Sequence, residues 1–451
     1  MRYSTLLAVI VFLASVSLAA GIAGCSEKKK TPFWIPPDDG PGAGGGPING
    51  TFTFTAIEAE TEDPIPGVSV HVDDGNVSDT KTTDADGVAT FTGVVGPIEL
   101  TFWRVPESKF TFFDFNYAEL TFPFPTAGPG GNGNIMVDVT ITGVNLTSGD
   151  IAGFLFAISG NTNFSNTAFD IIGTSTIPSP IPIQLSLGEP TILMAVIGGL
   201  VTIFPPEPGI TKYGVETYPT GVPPGTTDIS LAVSSASGIV PFAFSGTIDK
   251  SGLSISPGNG AVTILADLGV DGIFPFGVGS ADLVADTYSG SAVRFKQYNR
   301  YGMMVVAGSF DNGMSATLAW GTYNTIETIT QGPVTLYDVP VMTSPAPGAI
   351  GVPVTPTVTW NAAGTGSGAN YYFVTIAQLA PPYNWVGLIP AGTATATVPS
   401  VASLGAGAPA TINVIAVTLD DYNYSTIDPE ELLLDSTYLG TSGITPITTA
   451  P

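Results

Sequence analysis

A thiol and an imidazole are the side chains most often recruited for nucleophilic and acid–base chemistry. This 451-residue chain has one of each, Cys25 and His71. A Ser-His-Asp or Cys-His site would have to be built on His71. In the run Pro64-Ile-Pro-Gly-Val-Ser-Val-His-Val-Asp73, residues Val68, Val70 and Val72 share one face of a period-two strand. Ser69, His71 and Asp73 share the other. That setting predicts a solvated strand histidine, not a catalytic one. A zinc centre needs several His or Cys ligands, which the chain does not have. Neither a phosphate-cradling Gly-x-x-x-x-Gly-Lys-Ser/Thr loop nor a dinucleotide loop followed by a helix occurs. Carboxylates remain. Two in one cleft would suffice for glycoside hydrolysis, and oxygen ligands alone suffice for calcium. Asp84-Ala-Asp86-Gly87 has calcium-loop spacing but lacks the later ligands and the closing Glu. The segment therefore reads first as a turn, with Asp84 and Asp86 as weak calcium candidates. Asp73-Asp74, Asp420-Asp421 and Glu430-Glu431 read as solvated rims. Trp103, Trp320 and Trp385 are the aromatics that would line a sugar cleft if two acids converged beside them.

Cys25 has the more legible surroundings. It follows a basic start, Met1-Arg2, an apolar run from Leu6 to Ala20, and small residues at 23 and 24. These are the marks of a secretory signal. The ending Ile22-Ala-Gly-Cys25 resembles the lipobox of bacterial lipoproteins. That resemblance implies a chain matured at Cys25, whose thiolate carries the diacylglyceryl group. At ~0.8 kcal/mol per buried methylene, two acyl chains hold a protein firmly to a bilayer. The competing reading is a plain transmembrane anchor, since the apolar run approaches the ~18–20 residues needed to span. The polar Ser26-Glu-Lys-Lys-Lys30 that follows at once favours the lipid site. Ser26 stands where an Asp would resemble an inner-membrane retention signal, so the analogy points to the outer membrane of a diderm bacterium. Lys28–Lys30 either touch anionic head groups or form a solvated stem.

Composition narrows the partners. There are 12 Lys+Arg against 37 Asp+Glu, a formal net charge of −25, and Arg2 and Lys28–Lys30 fall outside the body. Nucleic-acid binding needs patches of phosphate-neutralising cations, and the few scattered cations left cannot form one. Charged residues are 11% and hydrophobic ones 44%, so there is ample material for cores. Gly 55 and Pro 39 are high counts, but they fall below the ~25–30% share of low-complexity chains. Val, Ile, Thr and aromatics abound while good helix formers are scarce, which predicts short strands with Gly/Pro turns. With its one cysteine committed to lipid, the chain has no intrachain disulfide to rely on.

The order along the chain supports an all-β, tandem β-sandwich reading. The signal peptide spans 1–24, and the lipidated Cys25 with a Gly/Pro-rich tether spans 25–49. Residues 50–134 form the first unit. Thr51-Phe-Thr-Phe-Thr-Ala56 alternates, Thr83-Asp-Ala-Asp-Gly-Val-Ala-Thr-Phe91 gives a turn and a strand, and Gly96-Pro-Ile-Glu-Leu-Thr-Phe102 gives another. With the 64–73 run, this order resembles the carboxypeptidase regulatory-like domain, a prealbumin-type sandwich. The aromatic segment Phe110–Phe124 reads as a core strand or an inter-domain seam in preference to an exposed sugar rail. Alternation places Phe113, Phe115 and Tyr117 on one face and Phe110 and Phe112 on the other. Residues 135–236 and 237–339 are two further sandwich-sized units at ~100 residues each. Residues 340–451 open with Met342-Thr-Ser-Pro and lead to Trp360. This resembles the cysteine-free branch of fibronectin type III-like or bacterial Ig-like domains, with Trp360 in the core. Strands are expected at Tyr371–Ile376, Thr393–Val398 and Ala410–Val417, the middle one an edge.

These readings converge on a non-enzymatic, lipid-anchored cell-envelope protein. It would have a structural role or bind a glycan or another envelope protein through loops at sandwich ends. No cofactor is expected, with calcium left as an option. The alternative is an envelope polysaccharide hydrolase using paired carboxylates, which requires an acid pair beside an aromatic cleft.

Overall fold

The computed structural model describes residues 42–451, apart from 59–61, 125–133, 144–151, 160–162, 171–179, 187–190, 199–209, 219–221, 224, 236–238, 254–258, 268–272, 297, 310–312, 362–368 and 420–435. Cys25, Asp420-Asp421 and Glu430-Glu431 lie outside the described residues. Strands make up nearly all of the regular structure. The helical elements are a single α-turn, Ile326–Ile329, and a 3-10 turn, Ser400–Ala402, among the described residues.

In the first unit the alternation of Thr and Phe works as period two requires. Along Asn49–Glu58, the side chains of Phe52, Phe54 and Ala56 are fully buried and the intervening threonines turn outward. This strand pairs antiparallel with Val88–Val95 and parallel with Glu119–Phe124. The ladder reaches back into the stretch expected to be tether. Gly42–Gly44 pairs with Glu119–Phe124, and Ala43 and Ile48 are buried in the same core. The facing sheet runs Ser78–Thr82, Ser69–Asp73, Ile98–Val105, Ser108–Phe115. Val70, Val72, Leu100 and Phe102 project from it onto the phenylalanines of the first sheet. Phe102 sits at the centre, with ring centroids of Phe54, Phe112 and Phe122 at 5.1, 5.3 and 4.6 Å. Such offset and edge-on pairs add to the gain from area alone.

The second unit stacks a sheet of Asn163–Asp170, Ala152–Ser159, Thr191–Gly198, Ile210–Tyr218 and Ser234–Ser235 against a three-stranded one. In the latter, Asn134–Thr142 lies between Ile181–Ser186 and the parallel Asp228–Ala232. Val137, Val139, Leu185, Leu193 and Leu231 fill the space between. In the third unit one sheet curls over a core. Ile239–Asp249 pairs with Thr287–Phe295 on one side and with Val334–Thr335 on the other. The ladder then continues through Ile273–Asp282, Asn259–Asp267, Arg300–Ser309 and Gly313–Thr322. Asn259–Asp267 and Arg300–Ser309 are buried on both faces. Met303 and Val305 enter the third unit's own core, while Met304 and Val306 enter a second core shared with the last unit. This double burial explains the unbroken apolar run Met303-Met-Val-Val-Ala307.

The last unit centres on Tyr371–Leu379, between Pro382–Pro390 and Pro409–Leu419. A small layer of Val341–Ser344, Thr357–Asn361 and Thr395–Thr397 covers it. Trp360 is buried between the layers, and Thr395–Thr397 is the edge its thin Thr/Ala face implies. Pro382–Pro390 is a strand that the sequence did not announce. Prolines at both ends and Gly387 within disguise it, and it is buried on both faces at its centre.

The units are not separate beads. Pro382–Pro390 pairs parallel with Ser108–Phe115, joining the last unit to the first. Ser436–Thr441 pairs antiparallel with Gly313–Thr322, joining it to the third. One continuous sheet therefore runs from Ser78–Thr82 to the third unit. Along it the packed face changes sides. Phe110 and Phe112 project into the first unit's core or its margin, whereas Trp385 and Ile389 project into the last unit's core.

Candidate functional site

The candidate chemistry lies on the outward face of the first unit's second sheet. Because Val70, Val72, Leu100 and Phe102 point inward, the residues between them, Ser69, His71, Asp73, Glu99, Thr101 and Trp103, occupy the other face. Register puts His71 opposite Thr101 and Thr80, and Asp73 opposite Glu99 and Ser78.

The solvated histidine expected from the sequence is instead buried, at 7% exposure. His71 Nδ1 is 2.8 Å from Thr80 Oγ1. Burial holds its pKa below the ordinary histidine value, against the opposing pull of Asp73 and Asp79. Glu99 is perturbed the other way. Burial, reinforced by the facing charge of Asp73, pushes its carboxyl up to about 7. Residues directly opposite in neighbouring antiparallel strands have Cα atoms ~4.5–5.5 Å apart, so the two carboxylates are immediate neighbours. Asp73 Oδ1 also accepts the Gly75 N–H at 2.8 Å, which closes the turn beyond its strand.

Further along the same face the polar groups turn to joining strands and units. Thr101 Oγ1 and Thr111 Oγ1 are 2.9 Å apart and both residues are fully buried. Trp385 Nε1 of the last unit donates to Thr111 Oγ1 at 3.0 Å. The indole lies against Gly387, where an added Cβ would meet Trp385 Cη2 at 2.7 Å, so only glycine fits. Phe113 packs edge-on against the indole at 6.3 Å. Lys109 Nζ donates to the Val401 carbonyl at 2.5 Å and lies 4.7 Å from the Trp103 ring centroid and 6.0 Å from that of Tyr383. The sheet register adds Asn384 N–H to Glu107 O at 2.7 Å.

Alternation alone assigned Phe115 and Phe113 to one face. The structure separates them. Asp114 adopts a left-handed φ of 54° and the register to Ile98–Val105 shifts there. This bulge rotates Phe115 into the first core beside Phe112 and leaves Phe113 with Trp385.

The remaining candidates disperse. Asp84 Oδ1 accepts the N–H groups of Asp86 and Val88, each at 3.0 Å, so it closes the turn between sheets. Gly87 at φ 73° completes that turn, since a Cβ there would lie 2.5 Å from Ala56 O. Asp86 is exposed. Asp74 accepts from Asn76, Val77 and Val95, and these bonds hold its carboxyl below the usual range. Trp320 lies in the third unit, with the Arg300 guanidinium 5.1 Å from its ring centroid. Trp103 and Trp385 flank Lys109, with Trp385 in the core. Among the described residues, no three His, Cys, Asp or Glu gather as a metal site. No helix among them is long and apolar enough to cross a membrane. Glu99, Thr101, Lys109 and Thr111 were not singled out from the sequence. Yet the inward Ile98, Leu100 and Phe102 already place Glu99 and Thr101 outward.

No protein-family model matches the chain, and no curated protein matches it. Among solved structures it is similar to an adhesin-type protein from Bacteroides ovatus, at 6% identity, over 45% of this chain and 89% of that one, with a TM-score of 0.17. It is also similar to a Ca2+-stabilized, ice-binding adhesin of an Antarctic bacterium, at 12% identity, over 91% and 100%, with a TM-score of 0.18. A third similarity is to the fimbrial anchor protein of Porphyromonas gingivalis, at 10% identity, over 38% and 78%, with a TM-score of 0.18. TM-scores this low carry no argument; the all-β, multi-sheet class stands on the chain's own ladders.

Proposed function

We propose that the chain is a non-enzymatic, lipid-anchored envelope protein that presents a stiff β body away from an outer membrane. The observation that supports this best is how the reactive side chains are used. His71 is bonded to Thr80, and the Thr101–Thr111–Trp385 chain and Lys109 tie the first unit to the last. The outward polar face is thus largely occupied in joining strands and units. The anchor at Cys25, the carboxypeptidase regulatory-like first unit and the fibronectin-like or Ig-like last unit are carried by sequence resemblance. Binding of a glycan or another envelope protein at the sandwich ends is the activity such a body suits. Cys25→Ala is expected to release the protein from washed membranes; full retention of the variant would overturn the anchor. A glycan-array screen, with and without calcium, is expected to find a ligand for the anchored body.

A second reading has one specific observation behind it. Asp73 and Glu99 form an acid pair, with the Glu99 carboxyl near 7, on the face that also carries Trp103. Trp103 and Glu99 are four residues apart on one strand, ~13 Å at ~3.3 Å per residue, so the ring and the acids do not share one sugar-sized site. Polysaccharide hydrolysis abolished by Glu99→Gln is the result that would favour this reading.

A further inference from the structure

Topology gives the joint between the first and last units a mechanical consequence. Ser108–Phe115 and Pro382–Pro390 pair through Ser108–Asn384, Lys109–Trp385, Phe110–Val386, Thr111–Gly387 and Phe112–Leu388. Each strand is also held on its other side by its own unit, Ser108–Phe115 by Ile98–Val105 and Pro382–Pro390 by Tyr371–Leu379. Residues 116–381, which include the second and third units, therefore form a loop closed by this ladder. A second, smaller loop, residues 323–435, is closed by the pairing of Gly313–Thr322 with Ser436–Thr441 and overlaps the first.

We propose that the Ser108–Phe115/Pro382–Pro390 ladder is a mechanical clasp that bypasses the middle of the chain. Tension applied between the N-terminal end and the last unit passes from the first unit directly into the last. The second and third units are not stretched until the clasp parts. The side-chain fastenings suit this role, because they bridge the joint itself: Trp385 Nε1 to Thr111 Oγ1, Lys109 Nζ to Val401 O, and Phe113 against the indole. Leu388 extends the first unit's core from the far side of the ladder. Parting the clasp puts residues 125–340, the stretch between the first and last units, under load, a reserve of up to ~730 Å at ~3.4 Å per residue when fully extended. The biological use of this device rests on the anchored-body reading above; the device itself does not.

The test is single-molecule pulling on the full chain, held in the Lys28–Lys30 segment and at Pro451. At constant force, no second- or third-unit unfolding step is expected before the clasp step. Forced unfolding is governed by the opening rate. Trp385→Phe keeps a ring in the core but deletes the donor to Thr111, and is expected to speed the clasp step about tenfold, equivalent to ~1.4 kcal/mol. Lys109→Met deletes the donor to the Val401 carbonyl and the charge over Trp103, and is expected to speed the same step by a few-fold. Both variants should leave the rates of the second- and third-unit steps unchanged. Middle-unit steps that precede the clasp step in the wild type, or a first step indifferent to both variants, would overturn the proposal. Because the measurement needs no membrane, it stands or falls separately from Cys25→Ala.

Discussion

The last unit is joined to two neighbours by the same device, strand edge to strand edge, yet the two joints are built differently. Toward the first unit, the ladder is parallel and the fastenings are directional: Trp385 to Thr111, Lys109 to Val401, Asn384 to Glu107. Toward the third unit, the ladder is antiparallel and the fastening is mainly area, with one directional bond beside it, from Tyr438 Oη to the Asp338 carbonyl. Met304, Val306, Met314 and Leu318 pack against Ile415, Val417 and Leu439. An apolar contact is roughly proportional to buried area and tolerant of small shifts, whereas a buried donor with one acceptor fixes a register. The joint between sequence-distant units carries several directional side-chain and backbone fastenings, whereas the joint between sequence-adjacent ones carries one, Tyr438 to Asp338, beside its apolar contact. Both joints also hide edges that would otherwise invite pairing with other chains.

The joint between the first and last units depends most on Trp385. The residue is fully buried in the last unit's core and its N–H reaches into the first. Trp385→Ala is expected to cost ~3–5 kcal/mol, and hydrogen exchange should show protection lost together in Ile98–Val105 and Tyr371–Leu379. Loss confined to the last unit would mean the two are not coupled. Leu439→Ala tests the apolar joint. Leu439 is 5% exposed among methionines and aliphatics, so ~2–4 kcal/mol is expected by denaturant melting, felt in the third and last units but not the first. Thr111→Val is nearly isosteric but leaves the Trp385 N–H without its acceptor and removes the Thr101 partner. A loss of ~1–3 kcal/mol is expected, larger than the same Thr→Val change at exposed Thr92, which should be within ~0.5 kcal/mol.

Much of the fold was legible because most of it obeys period two. The Thr/Phe alternation at 51–56, the valines at 68–72, the turn at Asp84 and the core Trp360 are found where the sequence puts them. The joints were harder to read. Pro382–Pro390 is buried on both faces at its centre, so it shows no alternation, and its bracketing prolines, Asn384 and Gly387 mask the strand formers Tyr383, Trp385, Val386 and Ile389. What covers a strand's second face is a long-range fact that no local window contains. His71 fails for the same reason. Its strand position was read correctly as opposite the valines, but its burial depends on what packs over that face. The Phe113/Phe115 split depends on one left-handed residue, Asp114, in a run whose bulk masks the break.

Glu99 and His71 sharpen the contrast between the polar face and the apolar joint, because the polar face should respond to pH. The Glu99 carboxyl is raised from 4.5 to about 7 in the fold. Between those values the folded chain holds a proton that the unfolded chain has released. By linkage, stability contributed by neutral Glu99 is full below about 4.5 and is lost as pH rises through about 7. His71 acts with the opposite sign. Its folded pKa lies below 6.5, so it costs stability as pH falls below that value. Glu99→Gln removes the first effect and leaves the second. The variant should therefore match the wild type at pH 4 and exceed it at pH 8 by ~1–2 kcal/mol, after allowance for solvent screening of a half-buried carboxylate. Melting curves across pH 4–8 give the comparison. If the two proteins keep a constant difference over that range, the acid pair is not strained, and Asp73 and Glu99 are an ordinary solvated rim.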